Sequence, residues 1–311
     1  MRANASALLR RAPKRQHRTD DSMNRSRDGA RRLSAVGRSA LAIGWTLLWF
    51  VPVVASLALG PALATVALIA LTVLFLWRNV VRPARSRPRL AAMLRLRPWR
   101  HYGWLSVAAI TQLVLTLATF VMHIQLAKWR LVPPIPDAPD FIPPEYYTHP
   151  LGPAAIFLAV ALIAPMVEEF GFRGKMQYRL EVAFGVVPAI VVTAVVFSFL
   201  HGLLIGLHHL PFSLLVGWLA WRTGSIWPGV YMHVVNNAFA VAGLYLARGR
   251  DLDDGTLSGN GPYALIIAPV MLAVLLVSAR RIDRLVRRER RSLRPHVARS
   301  RPENALPAAL L

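Results

Sequence analysis

The sequence predicts an all-α, polytopic transmembrane helical bundle of about eight spans, with both ends on the cytoplasmic side (N-in/C-in). Three observations predict it. The chain of 311 residues is 55% hydrophobic and only 17% charged, where a soluble domain carries about 25% charged residues. Its charges fall in blocks separated by apolar stretches of spanning length. Its Lys and Arg residues alternate with those stretches. With the N-terminus placed inside, 33 of the 37 fall on inside segments and 4 outside, namely Lys128, Arg130, Arg248 and Arg250.

The elements follow in order. Residues 1–38, rich in Arg, Ser, Asp and Asn, read as a disordered basic cytoplasmic tail, too long to be the n-region of a signal peptide. Apolar segments then lie at approximately 40–59, 61–77 and 104–126. The first two meet at Gly60–Pro61, a tight hairpin. The outer loop that follows contains PPIPDAPDFIPP and should be extended. Residues 39–149 thus form an N-terminal unit of three helices and an outer loop. Residues 150–247 hold four further segments, at approximately 152–180, 186–206, 210–222 and 227–247. Residues 248–279 supply another outer loop and the last span, and 280–311 a second basic cytoplasmic tail. Trp45, Trp49, Trp77, Trp104 and Trp227 flank spans, as an aromatic belt does.

A net charge of +22 would ordinarily suggest nucleic acid. No base-reading motif accompanies it, and basic residues beside spans are topology signals and contacts for anionic lipid. The chain has no cysteine, which excludes disulfides, thiolate metal sites and a cysteine nucleophile.

Ionisable residues within a bilayer cost about 2.5–3.5 kcal/mol each on insertion scales and call for a functional reason. Only two acidic residues lie within the apolar segments, Glu168 and Glu169, in the fragment PMVEEFGFRGK. Glu169 and Arg173 are four apart and share a helix face, so they can pair. Glu168 points roughly 100° away and has no partner in its own helix. One carboxylate is thereby neutralised and the other left free, as a general base requires. The bland alternative is that both glutamates bind Arg173 and lock a helix.

The next segment contains FSFLHG, with Phe197 and His201 four apart. A hairpin centred on Phe184–Gly185 would bring Glu168 and His201 to one depth, each roughly 20–25 Å along its helix from the turn. The seventh segment, entered after Thr223–Gly224–Ser225, contains HVVNNAF. His233 and Asn237 share a face there, and Asn236 is a less aligned substitute. Three helices therefore bring a carboxylate, two imidazoles and an amide to a similar level. His123, His208 and His209, near outer helix ends, read as interfacial or structural.

These three motifs resemble those of the CAAX-protease and bacteriocin-processing (CPBP) family, also called Abi or type II CAAX prenyl endopeptidases. That family is marked by Glu-Glu-x-x-x-Arg, Phe-x-x-x-His and His-x-x-x-Asn. Here they stand as EEFGFR from Glu168 to Arg173, FSFLH from Phe197 to His201, and HVVNN from His233 to Asn237. The resemblance covers about residues 150–247. It implies an intramembrane endopeptidase of the cell membrane, acting on a membrane-embedded or lipidated protein or peptide and in contact with membrane lipids. By the same analogy Glu168 and His201 activate a water, His233 and Asn237 stabilise the oxyanion, and Glu169 and Arg173 complete the site. The family is often labelled metalloprotease. Glu168, His201 and His233 are the residues that would hold a zinc or other divalent ion, but there is no His-Glu-x-x-His, and metal-independent glutamate catalysis is the favoured reading. Two rivals stay open. One is a proton-coupled transporter that relays protons through the same residues, although no internal repeat relates the two halves. The other is a non-catalytic membrane scaffold, although no motif residue is lost.

Overall fold

The computed structural model describes residues 14–134, 142–247 and 261–299. Expectations for residues 1–13, the middle of the Pro-rich loop at 135–141, the loop at 248–260 and the final residues 300–311 lie outside the described residues. Among the described residues every regular element is helical. In chain order they are α1 (Lys14–Leu57), α2 (Pro61–Ser86), α3 (Pro88–Met93), α4 (Tyr102–Lys128), α5 (Glu145–Thr148), α6 (Gly152–Phe184), α7 (Val186–Phe199), α8 (Leu203–Thr223), α9 (Trp227–Ala247) and α10 (Gly261–Arg299). Six of them are long and apolar enough to cross a membrane: α1 from Asp28, α2, α4, α6, α8, and α10 between Tyr263 and Arg291. The chain is a multi-pass, all-α membrane protein.

Of the eight expected segments, the other two are α7 and α9. Helix α7 has 14 residues, about 21 Å at 1.5 Å per residue, less than the ~30 Å hydrocarbon core. Helix α9 is as long as α8 and carries His233, Asn236 and Asn237 within it, and it is not among the six. The expected breaks also shift. Helix α7 ends at Phe199 rather than 206, and α8 starts at Leu203 rather than 210. The cause is Gly202, whose φ of 91° suits a residue without Cβ. The expected break at the histidines does not occur, because nothing in Leu207–His208–His209 opposes a helix.

The basic ends are more helical than expected. Helix α1 begins at Lys14, well inside the tail read as disordered. The segment 14–38 has no proline and many good helix formers, so helix propagates back from the span. Helix α10 continues past its apolar part because Ile282 and Val286, four apart, are buried with Trp99, Leu105 and Leu219.

Packing places α6 at the centre. Helix α1 lies against its second half, so close that a Cβ on Gly171 would collide with the Thr46 hydroxyl. Helices α2 and α9 cover its first half, α7 folds back on α8, and α10 runs along α4. Trp45, Trp49 and Trp227 therefore depart from the expected belt. The first two pack their rings against Phe75, and Trp227 packs against Phe170. Trp77 and Trp104 do stand exposed. Polar ties fasten the arginine-rich end. Arg95 pairs with Glu181, the Ile226 N–H donates to the Arg95 carbonyl at 3.1 Å, and the Ser225 hydroxyl donates to the Arg97 carbonyl at 2.6 Å. At the other end the Tyr245 hydroxyl donates to the Tyr146 carbonyl at 3.0 Å.

Candidate active site

The turn at Gly185 falls where the hairpin between the fourth and fifth segments was expected, with a φ of 87° that favours glycine. It returns α7 alongside the second half of α6. Helix α6 is not uniform. Ala164–Glu169 is α-helical and lies between two wider π-helical stretches, Phe157–Ile163 and Phe170–Gln177. Such widened turns are frequent at functional sites. Here they bracket the adjacent glutamates.

The Glu169–Arg173 pair forms as the spacing predicts. Arg173 Nη1 stands 3.1 Å from Glu169 Oε1, and both side chains are 0% exposed. Arg173 donates through Nη2 to the Ser213 hydroxyl of α8 at 2.7 Å. Its guanidinium also sits over the Phe197 ring, 4.4 Å from the centroid. Phe197 gathers the site from the other side, with its ring 4.8 Å from that of His201 and 5.8 Å from that of His233. The motif phenylalanine thus supports a buried cation and two imidazoles at once.

His233 reaches both glutamates. Its Nδ1 lies 3.1 Å from Glu169 Oε1 and its Nε2 3.4 Å from Glu168 Oε2. Glu168 keeps 13% of its side chain exposed, while Glu169 has none. Of the two carboxylates, Glu168 is the one that can meet water or substrate. Gly229 brings α9 this close: a Cβ there would stand 2.8 Å from Glu169 Oε2 and 2.7 Å from Val216 Cγ1. His201 lies in the short break between α7 and α8, not within a helix. Its Nδ1 is 2.9 Å from the Phe197 carbonyl. A carbonyl only accepts, so Nδ1 carries the hydrogen and Nε2 presents a lone pair.

The arrangement departs from the sequence reading in two places. His233, expected as an oxyanion donor, turns both of its ring nitrogens to carboxylates. Asn237 instead donates through Nδ2 to the Val160 carbonyl of α6 at 2.9 Å, and Asn236 stands 3.4 Å from its oxygen. Pro165 supplies the reason. In a π-helical stretch the Val160 carbonyl would accept from residue 165, five further on, and proline has no N–H. Asn237 fills that gap from α9.

This gives a test by double-mutant cycle. Asn237→Ala alone is expected to destabilise the protein by about 1–3 kcal/mol, the cost of a buried carbonyl left without a donor. In a Pro165→Ala background, where a backbone N–H is restored, the same substitution should cost clearly less. Thermal unfolding of the four proteins in detergent measures the coupling. Equal costs in both backgrounds would remove the capping role.

The sequence reading missed Ser213, Gly229 and His209. His209 lies nearly two turns into α8, with its ring centroid 4.7 Å from that of His201, so it borders the site. Pro165 was the one available signal, since a proline inside a span always leaves backbone groups to be satisfied elsewhere. His208 does pair with His123, at 3.3 Å.

Glu168 and His233 stand together, but His201 does not complete a set with them. Among the described residues no group of three or more His, Asp or Glu side chains is arranged to hold an ion. As placed, Glu168, His201 and His233 do not form a three-ligand metal centre.

A buried Glu-Glu-Arg-His cluster thus lies where α6, α7, α8 and α9 of a multi-pass membrane protein meet. Residues 150–239 match the family model described as type II CAAX prenyl endopeptidase Rce1-like. The matched stretch is 90 of the chain's 311 residues, and it encloses all six site residues. It leaves α1–α5 and α10 outside. No curated protein matches the chain, and no solved structure does.

Proposed function

We propose that this protein is an intramembrane endopeptidase of the cell membrane that hydrolyses peptide bonds in membrane-embedded or lipidated proteins or peptides. Both termini face the cytoplasm. The observation that carries the reading is His233 held between two carboxylates that differ in exposure. Glu169, fixed by Arg173, takes the hydrogen on His233 Nδ1 and sets the ring's orientation. Nε2 is then turned toward Glu168.

In this mechanism Glu168 removes a proton from a water, which is further oriented by the Nε2 lone pair of His201. The hydroxide attacks the scissile carbonyl carbon. The proton passes from Glu168 to His233 Nε2, whose N–H then faces the developing oxyanion and stabilises it. The C–N bond breaks as that proton moves to the departing amine, and Glu168 returns to its starting state. Asn237 acts as a positioning residue that holds α6 in register with α9. The catalysis is metal-independent.

Purified protein in liposomes, offered a pool of membrane-anchored peptides, tests this directly. Cleavage products identified by mass spectrometry and insensitive to chelator are expected. Activity lost in chelator and recovered with one divalent ion would overturn the metal-independent mechanism. Proton-coupled uptake without cleavage would favour the transporter.

Orientation has its own test, clean because the chain has no native cysteine. In intact cells an impermeant thiol reagent should label Asp140→Cys and leave Arg89→Cys unlabelled. The reverse pattern would invert the topology.

A further inference from the structure

A second polar feature lies outside the glutamate site, at the arginine-rich end of α2. Arg78 and Arg82 are four apart on the last turns of α2, and Arg87 lies in the link to α3. All three open onto a cavity of about 320 Å³, together with Lys175 from α6, Trp45 from α1 and Asn79. No carboxylate lines it. Among the described residues none of these four cations has an acidic partner. Lys175 is half-buried with its ammonium over the Trp45 ring, and the charged groups acting on it are cations as well, Arg179 and Arg78. Arg78, Arg82 and Arg87 stand exposed along one rim and the half-buried Lys175 faces them from α6, so four like charges border one open cavity and repel one another until an anion enters. Arginine forks suit the oxygens of a phosphate.

Trp45 also walls a second hollow. On the lipid-facing side of α1, Leu41, Gly44, Leu47, Leu48 and Val51 form an apolar groove of about 490 Å³ that shares Trp45 with the basic cavity. It lies along the part of α1 that runs from the cavity into the span. We propose that the two together form a binding site for an anionic phospholipid, its phosphate among Arg78, Arg82, Arg87 and Lys175 and an acyl chain along α1. A phosphate anion with an attached apolar chain matches both halves, whereas a soluble phosphate would leave the groove unused. The cavity and the glutamates are both walled by α6, so an occupied site fixes α1 and α2 against the helix that carries Glu168.

Native mass spectrometry of the purified full chain, released from nanodiscs of mixed phosphatidylglycerol and phosphatidylcholine, tests this. The wild type is expected to retain phosphatidylglycerol preferentially. Arg78→Gln with Arg82→Gln should lower that preference by about tenfold or more. Arg31→Gln with Arg32→Gln removes the same charge elsewhere and should leave it unchanged. Gly44→Phe places a ring in the groove at a position where an added Cβ meets no neighbour, and should lower retention with every cation in place. That variant decides the matter should the arginine pair fail to fold. Equal loss in the Arg31/Arg32 control, or full retention in both Arg78/Arg82 and Gly44 variants, would overturn the site. Displacement of the lipid by millimolar inorganic phosphate would assign the cavity to a soluble anion instead.

Discussion

Glu169→Gln is expected to lower the stability of the folded protein by about 3–5 kcal/mol, the usual cost of leaving one member of a buried ion pair alone. Arg173 has no route to water. Its side chain is 0% exposed, its guanidinium lies over Phe197, and its other anchor is the Ser213 hydroxyl. A neutral amide at 169 keeps the shape but not the charge, so the guanidinium is stranded. The measurement is thermal unfolding in detergent, read beside the amount of protein in the membrane. Substituting both partners, Glu169→Gln with Arg173→Met, removes the stranded charge and should recover part of the loss. Cleavage should stay impaired in the double variant, because His233 has lost the carboxylate that fixes its ring. A Glu169→Gln protein as stable as wild type would mean that the pair contributes little and that its burial serves another purpose.

The pair was legible in the sequence because its logic is local. Two residues four apart on one helix need no tertiary knowledge, and a charge inside a span demands a partner. The hairpin at Gly185 was equally local, since glycine next to a short turn is a backbone signal. What escaped was set by neighbours far along the chain. Asn237 looked like a free donor because its helix shows only its alignment with His233. Its partner, the Val160 carbonyl, is a backbone atom that becomes available only through Pro165 and the widened turn of α6. The position of His201 escaped for a related reason. FSFLHG reads as continuous helix on side-chain pattern, and only the positive φ of Gly202 moves the histidine into a break. His209, read as interfacial or structural from its place near an outer helix end, came to the site when that break shifted the start of α8. The lipid-facing tryptophans divide in the same way. Trp77 and Trp104 followed the belt rule, while Trp45 and Trp49 went inward because Phe75 on the next helix offered a ring to pack against.

Glu168→Gln should leave the fold intact and reduce cleavage by about 10²–10⁴-fold, the range attributed to a general base. The difference from Glu169 follows from surroundings, not chemistry, since the two side chains are identical. Glu168 makes no ion pair within its own helix, keeps part of its surface open, and meets His233 Nε2 at 3.4 Å. A glutamine there has the same size and strands no charge, so unfolding should shift by less than about 1 kcal/mol. What it removes is the ability to accept a proton from water. The loss should fall on kcat and leave KM nearly unchanged, because proton acceptance matters in the transition state and not in substrate binding. Glu168→Asp keeps a base but withdraws it by one methylene, and should recover part of the rate. Each measurement excludes a rival. A Glu168→Gln protein that still cleaves would move the base elsewhere, with His201 the next group able to act on water. A variant that loses abundance as severely as Glu169→Gln would mean that both glutamates lock α6 to α9 and neither is reserved for chemistry. Full cleavage lost at unchanged stability is the outcome that separates a working carboxylate from a structural one lying beside it in the chain.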